Sequence, residues 1–302
     1  MKNFRTRYKI ISALTNINVI GIRALVNQLP YILLPKPKEK LIVTTLYGFQ
    51  MEIDPIQDNK GLEKIIYYTG TYEQGTLFML SNLLTKNGVF VDVGANIGLM
   101  SIFASLIVKD AGKVFSFEPN PATFDILNKN IGLNNLSNVQ TVPYGVGSVP
   151  KSTKIYDRWD AGRGSATLIK PDFDTDSYNI DIVTLSDYFK DKDCAIDVIK
   201  IDIEGYELEA LKGAKKVIEE KSPILIVEIS DNRENFEGAN GKDIFEFVKS
   251  IDNYRVFKMY GSKKRASKLV EVTHFSDLPQ HDNIFCMNDE RISCLSTKLF
   301  KN

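Results

Sequence analysis

Short apolar runs alternate with longer segments of helical pattern through most of this 302-residue chain, and this alternation constrains the fold most strongly. Strands that are buried on both faces read as almost continuous apolar runs. We predict strands at 89–93, 114–117, 139–142, 196–201 and 224–229, with closing strands at 254–259 and 283–287. Helices between such strands imply right-handed crossovers and a sheet that is covered on both faces. The predicted fold is therefore α/β, with a doubly wound and mostly parallel sheet.

Residues 1–60 form a predicted N-terminal extension of one basic amphipathic helix and one hairpin. Residues 1–40 contain eight basic residues and one glutamate, whereas the whole chain has 38 basic and 38 acidic residues. Asn16, Asn18 and Arg23 interrupt this leader, so we expect neither a membrane span nor a signal peptide. Either the helix packs on the main domain, or its basic face makes peripheral contact with an anionic membrane.

Residues 61–302 form the predicted main domain, which is interrupted at about 147–180 by an insertion that contains the only tryptophan, Trp159. Long insertions in compact domains commonly carry function. The three widely spaced cysteines form no disulfide framework, which is expected in a reducing compartment and predicts a cytoplasmic protein. Only two histidines are present, so a histidine-rich metal site is not expected.

A glycine-containing turn, DVGANIG, follows the first predicted parallel strand and spans Asp92 to Gly98. Gly94 permits a tight turn, and Gly98 permits close packing of the next helix. A dinucleotide-binding turn has a middle glycine that lets the backbone approach a pyrophosphate, and Asn96 occupies that place here. The turn therefore favours a nucleoside ligand without phosphates, and Asp92 suits an ammonium group of that ligand.

Glu118 closes the second parallel strand, 20 residues after Gly98. An acidic residue at about this distance accepts hydrogen bonds from ribose hydroxyls in nucleotide-binding folds of this kind. The alternative is a solvated carboxylate that is favoured by the dipole of the following helix. The preceding glycine turn favours the ribose interpretation.

Carboxylates also follow the fourth and fifth parallel strands. Asp202 and Glu204 lie two residues apart, so they point to the same side if the strand continues that far. N-capping of the next helix is the alternative for one of them. Glu228 ends the fifth strand, where it is either functional or paired with Lys200. Doubly wound sheets bind ligands beyond the carboxyl ends of their strands, so all three carboxylates are candidate catalytic residues.

The motifs, in this order, resemble those of the FkbM family of S-adenosylmethionine-dependent methyltransferases. They are DVGANIG at 92–98, FEPN at 117–120 and KIDIEGYE at 200–207, with ALKGA at 210–214 and PILIVE at 223–228. The similarity covers about residues 70–290. It implies a class I methyltransferase fold, which is Rossmann-like and has a seven-stranded sheet whose last strand is antiparallel.

The resemblance implies S-adenosyl-L-methionine as the cofactor and O-methylation of a hydroxyl group on a sugar or another small metabolite. The expected partner is thus a small-molecule or glycan acceptor. Glu73 is included because GTYE at 70–73 is similar to a segment of the family. The residues expected to bind the cofactor are Glu73, Asp92, Gly94, Ala95, Asn96, Gly98, Glu118, Pro119, Asn120 and Asp202.

Catalysis requires removal of the hydroxyl proton, because an alcohol is otherwise a weak nucleophile. A carboxylate with a raised pKa that is shielded from water suits this task. We expect Asp202 or Glu204 to be the base, with Asp202 favoured by its place at the strand end, and the remaining carboxylates to orient the substrate or the cofactor. Asp202, Glu204 and Glu228 are also a conceivable set of Mg²⁺ ligands, but we predict no metal.

Two other functions remain open at this stage. A nicotinamide-dependent oxidoreductase can share the doubly wound fold, although Asn96 argues against a bound pyrophosphate. A non-catalytic cofactor-binding protein is the second alternative, because a fold does not determine a function. No nucleic-acid partner is expected, since the chain outside residues 1–40 carries a net negative charge. Residues 281–283 are expected near the site through the last strand.

Overall fold

The computed structural model describes residues 4–15, 29–31, 34–168, 170–230 and 240–301. The strands are β1 Leu41–Thr44, β2 Gln50–Ile53, β3 Val89–Val93, β4 Lys113–Phe117, β5 Val139–Val142, β6 Gly145–Val146, β7 Lys151–Tyr156, β8 Ser177–Val183, β9 Val198–Ile201, β10 Ile224–Ser230, β11 Tyr254–Met259, β12 Leu269–Val272 and β13 His281–Asn288. The helices are α1 Phe4–Thr15, α2 Leu62–Thr69, α3 Gln74–Leu83, α4 Leu99–Val108, α5 Pro121–Leu133, α6 Leu185–Phe189, α7 Glu207–Lys221, α8 Gly241–Lys249 and α9 Asp289–Cys294.

The main sheet has eight strands in the order β12-β11-β13-β10-β9-β3-β4-β5. The five strands from β10 to β5 pair in parallel, and β13 runs antiparallel to both of its neighbours. The predicted doubly wound α/β fold with an antiparallel last strand is thus confirmed. The sheet has one strand more than the predicted seven, because the chain turns back after β11 and adds β12 at the edge.

Side chains of the central strand β3 alternate between two apolar cores on opposite faces of the sheet. Phe90 belongs to one core together with Ile102 of α4, and Val91 belongs to the other core together with Leu211 of α7. Because helices cover both faces, every residue of this strand is buried. The continuous apolar run in the sequence has this burial as its cause.

The direction in which strands are added reverses beside β3. The chain proceeds from β3 to β4 and β5 on one side, and β9 pairs with β3 on the other side. In open α/β sheets a crevice forms at such a point, outside the carboxyl ends of the strands. The turn at 94–98 and the residues after β9 are therefore brought to the same edge of the sheet.

Helix α1 packs on the rest of the structure. Tyr8 and Ile11 are buried, and the Tyr8 hydroxyl donates a hydrogen bond to the carbonyl oxygen of Tyr67 at 2.9 Å. This contact agrees with the packing alternative, while the predicted continuation of the helix over residues 16–28 lies outside the described residues. In the part of the chain that the structure describes, no helix has the length and apolar character needed to cross a membrane.

The predicted hairpin is confirmed as β1 and β2, which pair antiparallel. Asn130 of α5 and Asn134, the C-cap residue of that helix, bind the second strand of the hairpin: the backbone N–H of Gln50 donates to Asn134 Oδ1 at 2.8 Å, and that of Glu52 donates to Asn130 Oδ1 at 2.7 Å. Met51 and Ile53 contribute to the same apolar core as Phe90. The hairpin is therefore fixed to the face of the sheet that carries α5.

The insertion folds into a second, three-stranded sheet in the order β6-β8-β7. Strands β7 and β8 are antiparallel, and Ile155, Ile180 and Ile182 form a small apolar core on it. The sequence indicated only a polar interruption, because charged and small polar residues dominate the segment and outweigh the alternation of Tyr178, Ile180 and Ile182 in β8. The segment between β7 and β8 returns to the main domain and covers part of the crevice.

Candidate active site

A cavity of about 320 Å³ lies at the carboxyl ends of β3, β4, β9 and β10. It brings together most of the site residues that the sequence predicts. The predicted residues that line it are Glu73, Asp92, Gly94, Ala95, Asn96, Glu118, Pro119, Asp202, Glu204 and Glu228. His281 also lines the cavity, as expected from its place on the last strand.

The turn after β3 has an unusual backbone. Gly94 and Gly98 have φ values of 84° and 94°, and Asn96 has a φ of 51°. A Cβ atom on residue 94 would lie 2.0 Å from the carbonyl oxygen of Asp202, so only glycine permits this approach. The backbone N–H groups of Gly94 and Ala95 donate to the Phe117 carbonyl oxygen at 3.0 and 2.9 Å. The turn is thereby fixed between the ends of β4 and β9.

Glu118 connects the turn to the following strand. Its two carboxylate oxygens accept hydrogen bonds from the backbone N–H groups of Asn96 and Asn120, each at 2.9 Å. Burial raises the pKa of Glu118 to about 7, although the two N–H donors oppose this shift. Each oxygen keeps a further lone pair for a ligand hydroxyl. Because Asn96 N–H already has a partner, it is not available to a pyrophosphate.

Two residues that are predicted to bind the cofactor, Gly98 and Asn120, do not line the cavity. A Cβ atom on Gly98 would lie 2.7 Å from Leu127 Cδ1, so this glycine serves the packing of α5 against α4. Asn120 caps α5, since its Oδ1 accepts from Ala122 N–H at 3.0 Å. Its Nδ2 donates to Asp157 Oδ1 at 2.7 Å. Both residues support the site without facing it.

Asp92 is buried beneath the turn. Its Oδ2 accepts a hydrogen bond from the Ser101 hydroxyl at 2.6 Å, and that hydroxyl accepts one from Ser116 at 2.7 Å. Burial raises the pKa of Asp92, while Lys200 and the Ser101 hydrogen bond lower it. Among the described residues, Asp92 Oδ1 has no hydrogen-bond partner. An acceptor that is buried and unsatisfied beside a cavity favours a cationic donor from a ligand.

Three carboxylates gather at the other end of the cavity, where oxygen atoms of Glu73, Asp202 and Glu228 lie within 4.8 Å of one another. Lys263 Nζ lies 2.8 Å from Glu73 Oε1 and 2.5 Å from Glu228 Oε1. Lys200 Nζ lies 2.6 Å from Asp202 Oδ2. Lys200 was one predicted partner of Glu228, and that prediction is wrong because Lys263 fills the role.

The carboxylates at this end differ in their affinity for protons. Burial alone would raise the pKa of Asp202, but the ammonium groups of Lys200 and Lys263 hold it well below its usual range. Burial and the neighbouring Asp202 carboxylate raise the pKa of Glu228. The expectation that Asp202 is a carboxylate with a raised pKa is therefore not met, since the paired lysines outweigh desolvation.

Glu204 faces the cavity from the turn after β9 and has a φ of 57°. Glu207 holds this turn, because its Oε1 accepts from the backbone N–H groups of Ile203 at 3.1 Å and Gly205 at 2.9 Å. Tyr206 is the N-cap residue of α7, and no side chain caps that position. The alternative role of Asp202 or Glu204 as a helix cap is therefore wrong.

Arg163, from the insertion, also lines the cavity and was not predicted. Its Nε donates to Glu63 Oε1 at 2.6 Å, and its backbone N–H donates to Asp58 Oδ1 at 2.9 Å. The guanidinium carbon lies 4.8 Å from the ring centroid of Trp159. A lone arginine in a polar insertion gives no sequence signal for such contacts, because its partners lie about 100 residues earlier.

The strand order and the carboxyl-end cleft define a doubly wound fold of the class I methyltransferase type. The family model for the Methyltransferase FkbM domain matches residues 92–259, which is more than half of the chain. The chain belongs to this family.

Similar proteins include the methyltransferase sdnD of Sordaria araneosa, which is 32% identical over 160 residues, covering 43% of this chain and 61% of sdnD. The hexuronic acid methyltransferase AglP of Haloferax volcanii is 29% identical over 177 residues, covering 58% of this chain and 67% of AglP. A crystal structure of methyltransferase FkbM from Methylobacillus flagellatus KT is 21% identical with a TM-score of 0.43, covering 69% of this chain and 47% of that one. The chain thus matches about three fifths of the length of sdnD.

Proposed function

We propose that the protein transfers a methyl group from S-adenosylmethionine to a hydroxyl group of a sugar or another small metabolite. The observation that carries the proposal is the pairing of the glycine turn with Glu118 on neighbouring parallel strands. The two are joined by the 2.9 Å hydrogen bond from Asn96 N–H, and both line one cleft. This arrangement favours a ribose that lies on the turn and donates its hydroxyl hydrogens to Glu118.

The charged groups of the cleft fit an adenosyl amino acid. The unsatisfied Oδ1 atom of Asp92 suits the amino group, and Glu118 suits the ribose. Since Asn96 N–H is used by Glu118, the turn lacks the backbone donor that a pyrophosphate requires. This contact disfavours a nicotinamide-dependent oxidoreductase relative to a methyltransferase.

The cofactor supplies a methyl group that is already activated, so the chain itself must align the acceptor hydroxyl and remove its proton. Asp202 is ionised and 23% of its side chain is exposed, whereas Glu228 is 4% exposed and hydrogen-bonded to Lys263. We assign the accepting carboxylate to Asp202. Its low pKa is compatible with this role, because a hydroxyl becomes strongly acidic as its oxygen forms a bond to carbon.

The acceptor class rests on the relatives and on the polarity of the cleft. AglP is named for methylation of a hexuronic acid, which supports a sugar acceptor for this chain. Residues of the insertion also line the cleft, together with Lys60, Gly61, Leu62 and Ile65, and we propose that these segments determine the choice of acceptor.

Calorimetry with S-adenosylhomocysteine, S-adenosylmethionine and NADH tests the cofactor. We expect the two adenosyl compounds to bind to the wild type and to bind much more weakly to Glu118→Ala. Glu219→Gln, an exposed change on α7, is the matched control that should bind as the wild type does. Binding of NADH without binding of either adenosyl compound would contradict the proposal.

Measurements of turnover test which residue is the catalytic base. Mass spectrometry detects methyl addition to a panel of monosaccharides that includes hexuronic acids, and any acceptor found is then assayed with Asp202→Asn and Glu204→Gln. We expect Asp202→Asn to lose turnover while it keeps its affinity for S-adenosylhomocysteine within a few-fold. Full turnover in both variants removes the assignment of a carboxylate base after β9.

A further inference from the structure

Lys263 lies in the middle of the carboxylate group formed by Glu73, Asp202 and Glu228. Its Nζ forms ion pairs with Glu73 and Glu228 and donates a hydrogen bond to Glu228. Burial lowers the pKa of Lys263, but the charges of all three carboxylates outweigh this and raise it. Only 7% of the Lys263 side chain is exposed. The described contacts thus place Lys263 between Glu73 and Glu228, while Lys200 pairs with Asp202.

The loop that carries Lys263 is held on two sides. Its backbone N–H donates to Asp282 Oδ1 of β13 at 2.9 Å, and its carbonyl oxygen accepts from Gly75 N–H of α3 at 2.8 Å. A Cβ atom on Gly75 would lie 2.6 to 2.9 Å from the carbonyl oxygens of Arg265, Ser262 and Lys263. Helix α3 can approach the loop only because residue 75 is glycine, and this approach places Lys263 beside Glu73.

The carboxylates are held in place as firmly as the lysine. Glu73 has a φ of 44°, and its Oε2 accepts hydrogen bonds from Thr76 Oγ1 at 3.1 Å and Asn283 Nδ2 at 3.3 Å. Asn283 pairs with Glu228 in the register of β13 and β10. The three acids therefore come from separate elements and converge because their backbones are fixed, which is unlike a chance cluster on a surface.

Three carboxylate oxygens at this spacing are a ligand set that Mg²⁺ or Mn²⁺ can use. An ammonium group that is bonded to two of them occupies the space that a divalent ion would need. Buried ion pairs of this kind are strongly perturbed when one partner is removed, whereas exposed pairs contribute little. Because Lys263 is buried, removal of its charge should strongly perturb its ion pairs.

Building on the proposed function, we propose that Lys263 is a positioning residue that takes the place of a divalent metal ion. It holds Glu73 and Glu228 beside Asp202, so that the site is complete without added metal. Removal of the Lys263 ammonium group leaves Glu73 and Glu228 without this cation, while Lys200 stays paired with Asp202 Oδ2, and it converts this place into a metal site.

Titration of Mn²⁺ into the wild-type protein and into Lys263→Met and Lys264→Met tests the proposal. Met keeps the unbranched apolar part of the lysine side chain without the charged terminal nitrogen, and Lys264 is the adjacent, exposed lysine. We expect no Mn²⁺ binding at this site in the wild type or in Lys264→Met. For Lys263→Met we expect a Kd of about 1 mM or tighter, in the range of weak carboxylate sites for divalent ions. Bound Mn²⁺ should also raise the melting temperature of Lys263→Met and leave that of Lys264→Met unchanged.

The wild-type titration decides the question even if Lys263→Met does not fold. Stoichiometric Mn²⁺ binding to the wild type that is lost in Asp202→Asn would overturn the proposal, as would a folded Lys263→Met that binds no Mn²⁺. A titration of S-adenosylhomocysteine into the same wild-type sample tests the methyltransferase proposal separately from the proposed role of Lys263. Failure of S-adenosylhomocysteine to bind contradicts the methyltransferase proposal. The Mn²⁺ titrations alone test the proposed role of Lys263.

Discussion

Replacement of Gly94 by alanine tests the contact on which the shape of the cleft depends. The glycine has a φ of 84°, and a Cβ atom there would meet the carbonyl oxygen of Asp202 at 2.0 Å. That oxygen belongs to the backbone, so no side-chain rotation relieves the overlap. Either the turn after β3 or the end of β9 must move, and both border the cleft.

The expected loss of stability in Gly94→Ala is the sum of two contributions. An L-residue in left-handed backbone costs about 1–2 kcal/mol. Overpacking of a tight contact costs a further ~1–3 kcal/mol. We therefore expect the free energy of unfolding of Gly94→Ala to fall by roughly 2–5 kcal/mol. If part of this strain is relieved by a displaced turn, the Kd for S-adenosylhomocysteine rises at least about tenfold, which corresponds to ~1.4 kcal/mol.

Urea denaturation and calorimetry measure the two quantities. Gly132→Ala is the matched control, because a Cβ atom on this α5 residue meets nothing within 4 Å. It should stabilise the protein by about 0.5–1 kcal/mol, as expected for alanine in a helix. If Gly94→Ala equals Gly132→Ala in both stability and affinity, the close approach of the turn to Asp202 is refuted. A loss of stability with unchanged affinity refutes the link between this turn and the ligand.

Three further predictions concern the cleft and the N-terminal helix. Burial raises the pKa of Glu118 to about 7, so lowering the pH from 8 to 6 protonates it and should weaken S-adenosylhomocysteine binding about tenfold, a dependence that Glu118→Gln abolishes. Arg163→Met leaves Glu63 buried and unpaired, so urea denaturation should show a loss of about 3–5 kcal/mol against less than about 1 kcal/mol for the exposed pair in Arg158→Met. We also propose that the exposed Arg5, Arg7 and Lys9 of α1 bind anionic vesicles; sedimentation should be strong at low salt and lost at high salt, and salt-independent binding would contradict this.

Most of the fold could be predicted from the sequence, because the strands that form the centre of the sheet are buried on both faces. The predicted strands at 139–142 and 254–259 match β5 and β11 at both ends. Helix α2 was not predicted, since it has only eight residues. Strand β12 was also missed, because it has only four residues. The small sheet of the insertion was missed because β7 has one buried apolar residue and the polar residues around β8 outweigh its alternating pattern.

The candidate site also contains some residues that were predicted from the sequence and others that were not. Asp92 and Glu118 were predicted because a carboxylate near the carboxyl end of an apolar strand is conspicuous. Lys263 and Arg163 were missed, because a basic residue in a polar loop is most simply explained as a solvated side chain. Their roles depend on how the loops fold back over the cleft, and this is determined by contacts such as Gly75 with the Lys263 loop.

The charges that line the cleft bear on which atom of an acceptor is methylated. Six carboxylates and four lysine or arginine side chains line the cavity, but burial raises the pKa of Asp92, Glu118 and Glu228 and so favours their neutral forms. The pKa of Asp202 is held low by Lys200 and Lys263, and this ionised carboxylate opposes a second anion beside it. An acidic sugar in this cleft would therefore present a hydroxyl group to Asp202 and keep its own carboxylate outside, which favours formation of an ether over an ester.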